Sequence, residues 1–150
     1  MKVTLVENDA IAENPVHKRL GLRPGITGVV ISPPEDDDNP LLPLPEGITA
    51  LAQVEDLAAQ DGQFDYIHYF AHSRADLTRV LPQLRDRLAP GGSLWISWMK
   101  QASAHRGGNL PGDLNDNVIR RMALTTGLVD VKVAALDQDW SGLRLVFRKH

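Results

Sequence analysis

The chain has 150 residues, 43% apolar and 23% charged, which suits one folded domain with a proper core and not a disordered segment. Its 16 lysines and arginines stand against 19 acids for a net charge of −3, with no dense basic run, so a nucleic-acid partner is not expected. It has no cysteine, which excludes disulfides, thiolate catalysis and cysteine-ligated metals, and no apolar stretch nears the ~20 residues of a membrane span.

Val3–Val6 is a short β-branched run that reads as an added edge strand, and acids follow it too soon for a signal peptide. Asn14–Leu20 reads as a short helix with Asn14 as N-cap, Pro15 in the first turn and Gly21 as its stop. Ile26–Ser32 is the first core strand. A proline-rich acidic loop follows, Pro33 to Gly47, long by ordinary standards. Ile48–Leu51 is a second strand, Gln53–Ala59 a short helix, and Phe64–Ala71 an aromatic buried strand. Ser73–Leu88 is the clearest helix. Ser73 caps it, Asp76 lies in its first turn, and Leu77, Val80, Leu81, Leu84 and Leu88 form one stripe, with Pro82 predicting a kink. Ala89–Gly92 reads as a tight turn and Ser93–Trp98 as a strand. Lys100–Gly112 is a polar loop, Leu114–Thr126 a helix capped by Asp113, and Leu128–Leu136 with Gly142–Arg148 an antiparallel hairpin. Trp140, at the hairpin turn, is expected to pack inward.

Strands alternating with helices predict an α/β domain: a mixed sheet, mostly parallel with a C-terminal antiparallel hairpin, and helices on both faces. The single domain spans 1–150, with 1–26 as an N-terminal extension and 27–150 as the core. Phe64-Asp65-Tyr66-Ile67-His68 resembles the fourth strand of class I S-adenosylmethionine-dependent methyltransferases. Leu84 to Ser97, through Ala89-Pro90-Gly91-Gly92, resembles that family's helix, Pro-Gly-Gly turn and fifth strand. The resemblance runs from about Thr27 to Lys149 and implies a Rossmann-like, methyltransferase-type fold. Trp98-Met99-Lys100, Gly127–Val133 and Asp137–Leu143 also resemble a family of small bacterial proteins with a truncated form of that fold. That family has no established activity, so the resemblance implies no catalytic residues.

The departure from the methyltransferases carries more weight. They place a Gly-x-Gly turn after the first strand, where backbone amides and a helix N-terminus hold the cofactor. Here the segment is Ser32-Pro33-Pro34-Glu35-Asp36-Asp37-Asp38, and the helix of that first cofactor loop is expected to be lost. Leu51-Ala52-Gln53 stands where a ribose-binding acid would end the second strand. We therefore expect no S-adenosylmethionine cofactor and a cytoplasmic domain acting by binding or assembly; self-association into a homodimer through an edge strand such as Val3–Val6 is a separate, third option.

The alternatives are a divergent methyltransferase, or an enzyme or small-molecule (anion) binder with a rebuilt pocket at the carboxyl ends of the strands, where ligands sit in open α/β sheets. That edge gathers Ser32, His72, Ser73, Lys100, Ser103, His105 and Arg106. Ligand-binding candidates are His72, Ser73, Lys100, Ser103 and Arg106: the cations to hold an anion, His72 to move a proton. Against this, such edges are polar in any protein, and Ser73 is already explained as a cap. No metal site is expected. His68 and His72, four residues apart along a strand, stand ~13 Å apart, and Glu35–Asp38 lacks the ligand spacing of a calcium loop. Ser141 has no nucleophile elbow around it, and Asp139-Trp140-Ser141-Gly142 is turn chemistry.

Overall fold

The computed structural model describes residues 15–100 and 112–149. Its elements are α1 (Pro15–Leu20), β1 (Gly28–Ile31), a 3-10 turn at Asp36–Asp38, β2 (Ile48–Leu51), a 3-10 helix at Val54–Ala59, β3 (Phe64–Phe70), α2 (Arg74–Asp86), β4 (Leu88–Met99), α3 (Asp116–Leu124), β5 (Leu128–Ala135) and β6 (Trp140–Phe147). The expected strand at Val3–Val6 and the N-cap at Asn14 lie outside the described residues, as does most of the Lys100–Gly112 loop.

One six-stranded sheet runs in the order β2-β1-β3-β4-β6-β5. β1 pairs in parallel with β2 and β3, and β3 with β4, while β6 runs antiparallel to both β4 and β5. Alternation along each strand gives the sheet two apolar faces. The first carries Val29, Ile31, Ile67, Tyr69, Leu94, Ile96, Leu143 and Leu145 under α2, α3 and the 54–59 helix. Leu77, Val80, Leu81 and Leu84 of α2 lie wholly within it, each contributing about 1.5–3 kcal/mol of burial.

The second face carries Val30, Tyr66, Phe70, Trp95 and Trp140, and a different cover closes it: Leu20 and Leu22 around the end of α1, and Leu41 from the β1–β2 connection. Trp95 Nε1 donates to Leu20 O at 3.0 Å, and His17 Nε2 to Leu41 O at 2.6 Å, tying both covers down. Among the described residues helical cover on this face is the short α1, and the connection Pro33–Gly47 crosses it as a strap. Trp140 packs inward, edge-on to Phe70 at 5.0 Å.

Three expectations need correction. Leu88 is not in the α2 stripe. The helix ends at Asp86 because Arg87 turns out to donate to the carbonyls of Gly62, Leu57 and Gln60, and Leu88 then opens β4. Ala89–Gly92 does not end an element. It bulges between the pairs Phe64↔Leu88 and Tyr66↔Ser93, with Gly91 at φ 80°, and the chain re-enters the same ladder. Asp113 does not cap α3: Asn115 does, accepting from Val118 N at 2.9 Å, and α3 starts at Asp116. Asp113 instead accepts from Arg74 N at 2.7 Å, so it caps α2 together with Ser73.

Candidate functional site

In this order the chain leaves β1 on both sides, to β2 one way and β3 the other, which makes the crevice between the carboxyl ends of β1 and β3 the switch point where such sheets bind ligands. Ser32-Pro33-Pro34 borders it from β1 and Ala71-His72-Ser73 from β3. Ser32 adopts φ 55°, in the left-handed region. Its N–H donates to Leu51 O at 2.8 Å and its hydroxyl to Ala52 O at 3.3 Å, so the turn is folded back onto the end of β2. Pro33 and Pro34 have no N–H to offer. The helix expected to be lost is reduced to the exposed 3-10 turn Asp36–Asp38, which has no side-chain cap. Beyond it Asn39 Oδ1 accepts from Leu41 N at 2.9 Å and turns Leu41 inward.

Of the candidate residues, His72, Ser73 and Lys100 lie at this edge, while Ser103, His105 and Arg106 lie outside the described residues. His72 is exposed and its ring stands edge-on to Trp140 at 5.9 Å. Trp140 pairs with Met99, the residue before Lys100, so His72 and the end of β4 meet at one aromatic group. Ser73 Oγ accepts from Asp76 N at 3.0 Å, and Lys100 Nζ donates to Asp137 O at 3.0 Å, so both polar groups already serve the fold.

A cluster that sequence reasoning missed lies beside them on the first face. Tyr69 donates its hydroxyl to Asp76, Arg79 bridges Asp76 at 3.0 Å and Glu55 at 3.1 Å. Burial, reinforced by the Asp76 carboxylate, pushes the Tyr69 hydroxyl well above its usual range. Burial opposes the charge on Asp76, yet the Tyr69 hydroxyl and the Arg79 guanidinium outweigh it and hold that carboxyl below its usual range. The Asp76/Arg79 spacing is a legible helical pair, but nothing local shows Tyr69 or Glu55 reaching it. The two acids nearest the end of β2 are also engaged: Glu55 with Arg79, and Asp56 with Gln53 N in a capping box.

His68 sits under the second face, fully buried, its Nδ1 2.8 Å from Tyr66 Oη and its Nε2 2.6 Å from Ser97 Oγ. Phe70 stacks on the ring at 4.7 Å. Burial pushes its pKa down to about 3, so it is a neutral core residue. Among the described residues no three His, Asp or Glu side chains gather to hold a metal ion, and no helix is long and apolar enough to cross a membrane.

No protein-family model matches the chain, and no curated protein does. Solved structures do. The glycopeptide N-methyltransferase MtfA, complexed with sinefungin, superposes with a TM-score of 0.61 at 15% identity, over 92% of this chain and 94% of that one. The methyltransferase CcbJ from Streptomyces caelestis gives 0.59 at 10% identity, over 95% and 90%. The N-methyltransferase NodS from Bradyrhizobium japonicum WM9 gives 0.56 at 15% identity, over 97% of each chain. The fold is that of the class I S-adenosylmethionine-dependent methyltransferases. At these identities the likeness is one of fold alone. Within this methyltransferase fold, β3, α2 and β4 fall where the resemblance of Phe64–His68 and Leu84–Ser97 puts them, and the terminal hairpin supplies the antiparallel pair.

Proposed function

We propose that this chain is a methyltransferase-fold domain that acts by binding or assembly and not by S-adenosylmethionine-dependent methyl transfer. The observation that carries this is the segment Ser32–Leu41. MtfA has been crystallised with S-adenosylmethionine, S-adenosylhomocysteine and sinefungin, and a magnesium protoporphyrin IX methyltransferase from Synechocystis with S-adenosylhomocysteine. A cofactor gripped by the first loop of this fold needs free main-chain amides and a helix N-terminus. Here the Ser32 amide is spent on Leu51, two imino acids follow, and a 3-10 turn made of three exposed aspartates replaces the helix. These residues do not fit an adenosyl cofactor held that way.

Thermal unfolding of the full chain with S-adenosylmethionine and with S-adenosylhomocysteine tests the proposal. The expected result is an unchanged midpoint. A ligand at 100 times its Kd adds ~2.7 kcal/mol, so a rise of several degrees with either compound overturns it.

A second reading, a small-molecule site at the carboxyl edge built from His72, Ser73, Lys100, Ser103 and Arg106, draws on one observation: His72 is exposed beside Trp140 and the end of β4. Against it stand the internal bonds of Ser73 and Lys100. A ligand whose stabilisation vanishes in His72→Ala would favour it.

A further inference from the structure

At the opposite end of the sheet, where β3 and β4 begin, the second face leaves a hollow of about 560 Å³ between the sheet and the α1–β1 connection. Lys18 and Arg19 enter it from α1, Arg23 from the connection, Lys132 from β5 and Arg144 from β6, against the single carboxylate of Asp65. In a chain of net charge −3, five cations face one acid among the described residues of this concavity. Among the described residues none of the five forms a salt bridge, whereas Arg79, Arg85 and Arg120 all do.

Three of the five cations are held in place by neutral partners. Arg144 Nε donates to Ser93 Oγ at 2.8 Å, Lys132 Nζ to Arg19 O at 2.7 Å, and Arg19 Nε to Ala135 O at 3.1 Å. Arg144 and Lys132 are register partners on adjacent strands, so rigid sheet fixes two of the charges. Assembling like charges costs energy that, among the described residues, the one carboxylate of Asp65 offsets only in part.

We propose that this hollow is an anion site for a small ligand bearing two or more phosphoryl groups. Three guanidinium forks match phosphoryl oxygens in paired hydrogen bonds, and the two ammonium groups add point charge. A single carboxylate or orthophosphate would leave most of the cations unneutralised. The volume falls in the range of small-ligand pockets and exceeds what one anion fills. No residue is shared with the β1–β3 crevice, so the site stands whether or not that crevice takes an adenosyl compound.

Isothermal titration of the full chain with inorganic triphosphate at low salt tests this. The expected result is saturable one-to-one binding that weakens as salt rises, with orthophosphate and citrate at least tenfold weaker. Arg144→Gln and Lys132→Glu lower the triphosphate affinity tenfold or more. Should either fail to fold, the double variant Lys18→Ala/Arg23→Ala serves instead, because neither side chain makes a hydrogen bond among the described residues, and it shows the same loss. Arg85→Ala, on α2 against the other face, leaves affinity within twofold. No binding at 1 mM triphosphate overturns the site. So does an affinity that the pocket variants leave intact or that Arg85→Ala lowers equally, and citrate or orthophosphate bound as tightly as triphosphate overturns the ligand class. Triphosphate binding together with stabilisation by S-adenosylhomocysteine would sink the earlier reading and leave this one standing.

Discussion

His68 Nε2 and Ser97 Oγ lie 2.6 Å apart between two neighbouring parallel strands, with Tyr66 Oη on the ring's other nitrogen. Both ring nitrogens are therefore satisfied without a charge, and the imidazole can fill a wholly buried position. Gly142, opposite Ser97 on β6, keeps the space open: a methyl group there would stand 3.1 Å from Ser97 Oγ and from Trp95.

This arrangement makes stability depend on acid. The unfolded chain protonates His68 near its ordinary pKa of 6.5, while the folded chain resists until about 3. Between those values the unfolded state binds the extra proton, so stability falls as pH falls, by about 1.4 kcal/mol per unit from this group. Denaturant unfolding of the wild type and His68→Gln measures it. The wild type's advantage is greatest above pH 6.5 and shrinks as pH drops from 6.5 toward 4. A difference that is flat across that range would refute the neutral, buried assignment.

The start of α2 gives a second prediction. Ser73 Oγ takes the Asp76 amide and Asp113 Oδ1 takes the Arg74 amide, two of the four donors a helix start leaves open. Ser73→Ala and Asp113→Ala are each expected to cost about 1 kcal/mol, read as a lower denaturant midpoint. Ser73→Ala is also expected to leave triphosphate binding unchanged, because Ser73 lies at the opposite edge of the sheet from the hollow.

Much of the fold was legible because its signals are local. Ile48–Leu51 appears with the expected bounds, β3 ends one residue early, and Ser73 caps the helix it was expected to cap. The misses share a cause. Asp113 and Asn115 are both good caps, and only the nearness of Arg74, 39 positions back in sequence, decides which helix Asp113 serves. Ala89–Gly92 has turn chemistry, but pairing with β3 on either side absorbs it into one bulged strand. The carboxyl edge followed from topology, and its candidates His72 and Lys100 do lie there. The amino-edge hollow did not. Its cations come from positions 18 to 144, and nothing in their spacing predicts that they meet.

Gly28 carries a third prediction. A Cβ at this position would stand 2.5 Å from Tyr66 O and 2.8 Å from Tyr66 Cβ, a backbone neighbour that cannot rotate away. Gly28→Ala must therefore push β1 from β3 at the centre of the sheet, and we expect a loss of about 1–3 kcal/mol, as for other overpacked cores. Alanine's higher strand propensity would stabilise a site with room for it. A variant as stable as wild type in thermal or denaturant unfolding would show that β1 and β3 lie farther apart than described.

The last prediction concerns Arg87, the residue that separates α2 from β4. Its guanidinium donates to Gly62 O at 2.7 Å, Leu57 O at 2.9 Å and Gln60 O at 2.5 Å, and it lies 5.3 Å from the centre of the Phe64 ring. Those carbonyls belong to the 54–59 helix and the turn after it, which Val54 and Leu57 also anchor in the first core. A charged donor is worth about 1.5–3 kcal/mol per hydrogen bond, less when several are lost together. Arg87→Ala is expected to cost about 3 kcal/mol. Arg87→Lys should recover less than half of it, because an ammonium cannot reach three divergent carbonyls with a planar fork. Hydrogen exchange checks the location of the effect: amides of 54–60 should lose protection before those of β3 and β4. Uniform loss across the sheet would mean that Arg87 acts through the core and not through this staple.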